Sequence, residues 1–276
     1  MPPVLAPPIL LTPMATLVSF HAHPDDEAIA VGGTIARASD AGHQVIVVFA
    51  TRGEHGEVDA GVLATGEELW ERRVRECERA GEILGYEPAF LGFVDSGMMG
   101  TPENEAPDSF WQADVEEAAG RLAAILQESD ADVLTIYDEH GGYGHPDHIQ
   151  VHRVGARAAE FAGTPRVYEA TQNRDQIRRS IHRAREAGID IPGDIDPDAL
   201  DGFGSPESLL TTAVDVTAFL DRKRAAMAAH ASQISDTSLF LAMPPEMFVE
   251  AFGTEWFIRR GWPPGIAEDD LLAGLD

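Results

Sequence analysis

The chain alternates short apolar runs with longer segments in which apolar residues return every three or four positions. Residues 15–20 form an apolar run ending at Phe20, with the length of a buried strand. Small and apolar residues over 28–41 predict a helix packed closely on a sheet. Residues 44–51, QVIVVFAT, are rich in β-branched side chains and predict a second strand. Strand, helix and strand in that order make a βαβ unit and imply a parallel pair. The alternation continues with a charged helix at 67–84 ended by Gly85, a strand at 88–94 and a helix at 111–128. A strand at 132–137, a helix at 147–162 and a strand at 166–170 follow. The predicted class is α/β: a Rossmann-like, mostly parallel sheet with helices on both faces.

After Asn173 the pattern changes. A basic helix is expected at 175–187, then a loop at 191–206 rich in Asp, Pro and Gly. A strand at 210–216, helices at 217–234 and 246–252, and a late strand at 254–260 complete the chain. Three parts are expected: a proline-rich mobile arm over 1–14, a core over 15–173, and a C-terminal region over 174–276 that completes the fold and caps the site.

With 276 residues the chain can bury a large core. Its formal net charge of −27, with Lys223 as the only lysine, disfavours nucleic acid and anionic membranes as partners. No apolar run approaches a membrane span, and the first residues lack the basic start and unbroken apolar core of a secretory signal. Cys77 is the only cysteine, so an intramolecular disulfide is excluded and a reducing cytoplasm is expected. It falls in a charged helical pattern and reads as a structural thiol. A small-molecule substrate fits these bounds, and a homo-oligomer is compatible with them.

Two polar clusters follow strands. The first, 21–27, holds His21, His23, Asp25, Asp26 and Glu27 where a strand turns into a helix. In an open α/β sheet that is the edge where ligands bind. The second, 138–148, includes Tyr143, His145 and His148, with His152 one helical turn on. Loops at 52–66, at the same sheet edge, and at 95–109, long enough to be functional, accompany them. If the two strands are neighbours at the switch point, His23 and Asp26 meet His145, His148 and His152. Two His and one Asp with an open position suit a catalytic divalent ion such as Zn²⁺, with Fe²⁺ or another ion as alternatives. Such an ion lowers the pKa of a water to about 7. A free carboxylate must still take the proton, and Asp25, beside Asp26, is placed for that. A second histidine, with Tyr143, could stabilise an oxyanion. Spacing alone does not rank the three histidines.

The runs Ala22-His23-Pro24-Asp25-Asp26-Glu27 and His145-Pro146-Asp147-His148, in this order and separation, resemble the PIG-L/LmbE-like superfamily of metal-dependent N-acetylglucosamine deacetylases. The resemblance covers about residues 17–174. The stretches 91–98 and 137–143 are similar to the branch that makes or processes mycothiol. The resemblance implies that His23, Asp26 and His148 are metal ligands and Asp25 the general base. It implies that His145, assisted by Tyr143, stabilises the oxyanion or acts as acid, that Arg73 holds substrate and that Asp95 binds the sugar. His152 then becomes a helix residue, and His21 and Glu27 take supporting positions. Residues 229–233, AHASQ, resemble a recurrent late motif, through which His230 could approach the site. The implied function is removal of an acetyl group from a glucosamine derivative such as N-acetylglucosaminyl-inositol. The competing expectations are a mycothiol S-conjugate amidase, a non-catalytic metal-dependent sugar-binding protein and a metal phosphoesterase.

Overall fold

Five strands pair as the parallel part of one sheet: β1 (Thr16–His21), β2 (Gln44–Phe49), β3 (Glu87–Phe90), β4 (Val133–Tyr137) and β5 (Arg166–Thr171). Two late strands, β6 (Thr212–Asp215) and β7 (Thr254–Arg259), complete it in the order β3-β2-β1-β4-β5-β7-β6. The computed structural model describes residues 15–186 and 196–275. The arm expected over 1–14 and the first part of the loop expected at 191–206 lie outside them. β7 runs antiparallel to both neighbours. β1 pairs with β2 on one side and β4 on the other, so the order reverses between β1 and β4. That reversal opens a crevice beyond their carboxyl ends.

The helices are α1 (Asp26–Ala30), α2 (Gly32–Asp40), α3 (Leu69–Leu84), α4 (Val115–Glu128), the single turn α5 (Gly141–Gly144), α6 (Pro146–Ala162), α7 (Arg174–Glu186), α8 (Leu220–Ala229) and α9 (Pro245–Phe252). Because successive strand side chains point to opposite faces, each strand feeds two cores. Leu17, Val47 and Val133 join Ile35, Ala80 and Met227 on one face. Val18, Val48 and Leu134 join Leu122 and Val151 on the other. Cys77 lies fully buried in the first core. No helix among the described residues is long and apolar enough to cross a membrane.

Four expected elements differ, each through a contact distant in sequence or a local cap. The helix expected over 28–41 is broken at Val31 (φ −137°, ψ 18°). It restarts as α2 because Glu255 of β7 accepts hydrogen bonds from the Gly33 and Thr34 amides at 2.8 and 2.7 Å, and its other partner is the buried Lys223 ammonium at 2.5 Å. The helix expected over 217–234 is a 3₁₀ turn, Thr217–Phe219, followed by α8, which stops where His230 turns inward to Glu27. The strand expected at 88–94 ends at Phe90, and Val94 bridges to Ser109. The helix expected from 111 starts at Val115, where the Asp114 side chain caps the Glu117 amide. The residues after 173 add β6 and β7 to the same sheet, and α8 packs against α1, α2 and α3.

Candidate active site

The peptide after β1 makes a tight turn that sends consecutive side chains in different directions. Asp25 has φ 118°, one of two positive values at non-glycine residues among the described residues. Its carbonyl accepts from the Ala28 and Ile29 amides and starts α1. Asp26 folds back, its Oδ2 accepting from the His23 amide at 2.9 Å. The second cluster begins α6. Pro146 stands in its first turn, and the His145 Nδ1 accepts from the Asp147 amide at 3.1 Å as a helix cap. Gly141 has φ 62°, and a Cβ there would lie 2.5 Å from the His148 Cβ, so only glycine lets the loop pass this close to His148.

The two clusters meet. His23 Nδ1 is 3.4 Å from Asp26 Oδ2, and His148 Nε2 is 3.3 Å from Asp26 Oδ1. One donor atom from each of the three residues lies within 4.8 Å of the others. Tetrahedral donors held at about 2.1 Å from a divalent ion are spaced about 3.4 Å apart. The His148 Nε2 is buried with no hydrogen-bond partner, while its Nδ1 faces the Gly141 carbonyl at 3.2 Å and its ring stacks on Tyr137 with centroids 4.5 Å apart. A buried nitrogen without a partner, aimed at a carboxylate and fixed from behind, fits a metal ligand. The His23 Nε2 faces Asp147 Oδ2 at 3.1 Å and Asp95 Oδ1 at 3.4 Å, so the ring is oriented by carboxylates on its far side. A second donor group, His23, His145 and Asp147, shares His23. Its Asp147 oxygens are already engaged by the Ser96 amide at 2.9 Å and the Ser96 hydroxyl, and the His145 Nδ1 by an amide. The set of His23, Asp26 and His148 therefore fits a divalent ion better.

The charges follow from the partners. Burial would raise the Asp26 carboxyl, but His148 and His23 outweigh it and hold it well below the usual range. Burial would lower the His23 imidazole, but Asp95, Asp147 and Asp26 hold it well above its ordinary value. Asp25 is pushed up to about 6 by burial, against the pull of Arg73. Burial, with His23 and His148, lowers His145 to about 4. Its ring lies 4.8 Å from His23 and 5.0 Å from His148, centroid to centroid. Tyr143 is 52% exposed, with its ring 5.1 Å from that of His148, on the open side of the cluster.

Arg73 reaches this site and Arg72 does not: Arg72 points out to Glu67. The Arg73 guanidinium is buried, donating to the Gly53 and Pro24 carbonyls at 3.0 and 2.5 Å, with Nη2 3.3 Å from Asp25 Oδ1. All these contacts lie within the protein, so in this structure Arg73 restrains the 24–25 turn. Asp95 is buried, accepting from the Gly97 and His55 amides at 2.8 and 3.2 Å. His152 bonds the Tyr137 carbonyl at 3.0 Å and takes no place in the donor set. His21 is buried between Ser19 and Tyr137, at 2.7 and 2.8 Å, and burial lowers it to about 4. Sequence reasoning passed over Asp147. Its place between two candidate histidines was the available signal, but neighbours on a helix point in different directions, and only the fold shows it turned toward His23 and Ser96.

Residues 18–159 match the family described as GlcNAc-PI de-N-acetylase, PIG-L. The chain is 42% identical over 279 residues to a 1D-myo-inositol 2-acetamido-2-deoxy-alpha-D-glucopyranoside deacetylase of Acidothermus cellulolyticus, with 95% of each chain covered. Among solved structures, the N,N'-diacetylchitobiose deacetylase of Pyrococcus horikoshii is similar at a TM-score of 0.58 and 22% identity, over 88% of this chain and 83% of that one. The 4-carboxy-2-hydroxymuconate hydratase of Pseudomonas putida is similar at 0.53 and 18% identity, over 92% and 99%. A deacetylase and a hydratase thus share the fold, and fold alone does not select the reaction. The match along nearly the whole length and the family model over residues 18–159 do select the lineage: the chain belongs to the PIG-L family of GlcNAc-PI de-N-acetylases.

Proposed function

We propose that this protein is a divalent-metal-dependent deacetylase that hydrolyses the acetamide of an N-acetylglucosaminyl-inositol. The observation that carries the reading is the convergence of His23, Asp26 and His148 at the switch point, with Asp25 beside them and free of that donor set. Relatives of this length and identity named for that substrate support the sugar and the aglycone. We assign the ion as Zn²⁺, with Fe²⁺ as the alternative, because the donors are imidazole and carboxylate. The single buried Cys77 suits a reducing cytoplasm, the compartment we propose.

When bound, the ion supplies Lewis acidity that polarises the carbonyl and acidifies a water. Asp25 takes the water's proton on its carboxylate, which burial keeps basic enough to accept it, and returns it to the sugar nitrogen as the C–N bond breaks and acetate leaves. Arg73 holds that carboxylate in place. Because the His145 Nδ1 accepts from an amide, the proton of its neutral ring is on Nε2. That N–H donates to the oxyanion as it forms, and the Tyr143 hydroxyl assists from the open side. Asp147 keeps the His23 ring in its ligating orientation. Arg73, beside Asp25, is the proposed substrate contact, and Asp95, beside His23, the proposed sugar contact.

The test is amine release from N-acetylglucosaminyl-inositol, free N-acetylglucosamine and a bulky mycothiol S-conjugate, with defined metals. We expect the first to be cleaved best. Preferred cleavage of the S-conjugate would make the protein an amidase instead. Binding without amine release from any of the three would make it a sugar-binding protein.

A further inference from the structure

We propose that Glu27, clamped by His230, is the positioning residue that locks the Asp25 backbone in its positive-φ turn and so aims the Asp25 carboxylate. The proposal rests on the reading of Asp25 as proton acceptor. A φ of 118° with ψ −32° is a conformation that side-chain-bearing residues adopt only when their surroundings impose it. The imposing contact is visible: the Asp25 amide donates to Glu27 Oε2 at 2.9 Å.

Glu27 is fully buried. A carboxylate offers only acceptors, and this one meets three donors: the Asp25 amide, the Tyr86 hydroxyl at 2.9 Å and the His230 Nε2 at 2.7 Å. Tyr86 divides its single proton between Glu27 and the Cys77 carbonyl, 3.0 Å away. His230 does not divide its proton: Nε2 faces Glu27, and Nδ1 is buried without a partner. Burying an unpartnered ring nitrogen is unfavourable, and an apolar residue would fill the same place without that penalty. The bond to Glu27 is the feature that makes a histidine fit here. It links the end of α8, 203 residues downstream, to the first turn of α1. None of these contacts involves a ring nitrogen of His23 or His148, so the clamp can be cut without removing a metal donor.

His230→Leu and His230→Gln separate positioning from packing. Both are purified with bound metal and compared with the parent for kcat, KM, metal affinity by chelator competition, and Tm. We expect kcat of His230→Leu to fall at least tenfold, with KM and metal affinity within twofold. In His230→Gln, whose amide can still donate to Glu27, most of that loss should be recovered. A His230→Leu protein with parental kcat per metal-loaded molecule overturns the proposal, and so does a loss of kcat that only parallels a loss of metal. Should His230→Leu not fold, Tyr86→Phe removes a donor to the same oxygen. A threefold or greater fall in kcat at constant KM and metal affinity supports the clamp, and an unchanged kcat overturns it. Asp25→Asn is the control. If it still turns over, the role given to Asp25 fails; if it is inactive beside a fully active His230→Leu, only the clamp fails.

Discussion

Replacing Asp25 by asparagine should damage catalysis and strengthen the fold. An ordinary aspartate carboxyl titrates near 3.8, and in the folded chain burial pushes Asp25 up to about 6 despite Arg73. Between those values the folded state holds a proton that the unfolded chain has released, so stability falls as pH rises through the window. At 1.36 kcal/mol per unit, the full penalty above pH 6 is about 3 kcal/mol. The Asp25 side chain keeps 16% exposure, so this is an upper bound. Asparagine resembles the protonated carboxyl in shape and is among the residues that best tolerate positive φ. Metal-free Asp25→Asn should therefore be more stable than the parent at pH 7 by up to about 3 kcal/mol, roughly 5–10 °C in Tm for a chain of this size. Below about pH 3 the difference should vanish, because the parent carboxyl is then protonated in both states. Turnover should fall by about 10²–10⁴, the range for loss of a general base. Metal should be retained, because His23, Asp26 and His148 are untouched. Denaturation at both pH values, amine release and metal analysis on one preparation read all three effects. Loss of bound metal, or turnover within tenfold of the parent, would show that the roles of Asp25 and Asp26 are misassigned.

Removing divalent ions by chelation should abolish amine release, with recovery on adding Zn²⁺ or Fe²⁺. The same recovery should fail in His148→Ala, and metal analysis after dialysis would check that the ion no longer binds. A Cβ at Gly53 would overlap the Arg73 guanidinium, at a backbone φ of 69°. Gly53→Ala should displace Arg73 from the 24–25 turn and lower kcat about 10–100-fold with bound metal unchanged, as steady-state assays with metal analysis would show. Glu255→Leu leaves the buried Lys223 unpaired and uncaps α2, and should cost about 3–5 kcal/mol in urea unfolding. Lys223→Met should cost less, because Glu255 keeps its two amide donors.

The legible part of the fold was its periodic part. β1, β2, β4, α3 and α6 lie close to where apolar spacing puts them, because each is specified by its own residues. The illegible part was set by residues far away. Nothing near Val31 announces that Glu255, over 220 residues on, will restart the helix there. Nothing near Ala229 announces that Glu27 will draw His230 out of α8. The late strand was readable, but its antiparallel insertion between β5 and β6 was not, since pairing direction depends on how the chain returns. At the site, residue types and their place after strands located the two clusters. Which oxygen faces which nitrogen needed the fold, and so did the turn of Arg73 toward Asp25 in place of solvent.

Residues 25, 26 and 27 show why adjacency could not assign roles. All three carry carboxylates, and their chemistry diverges because the positive-φ turn at Asp25 and the helical step from Asp26 to Glu27 send them in different directions. Asp26 points back to His23 and His148, which hold it ionised. Burial, working against the pull of Arg73, keeps the Asp25 carboxylate more basic and able to accept a proton. Glu27 points inward to His230 and Tyr86 and returns a hydrogen bond to the Asp25 amide. The inward residue thus fixes the turn that separates the other two. A metal ligand and a proton acceptor on consecutive residues need such a device. Without it, Asp25 could swing its carboxylate toward the same two histidines and compete with Asp26 for the ion.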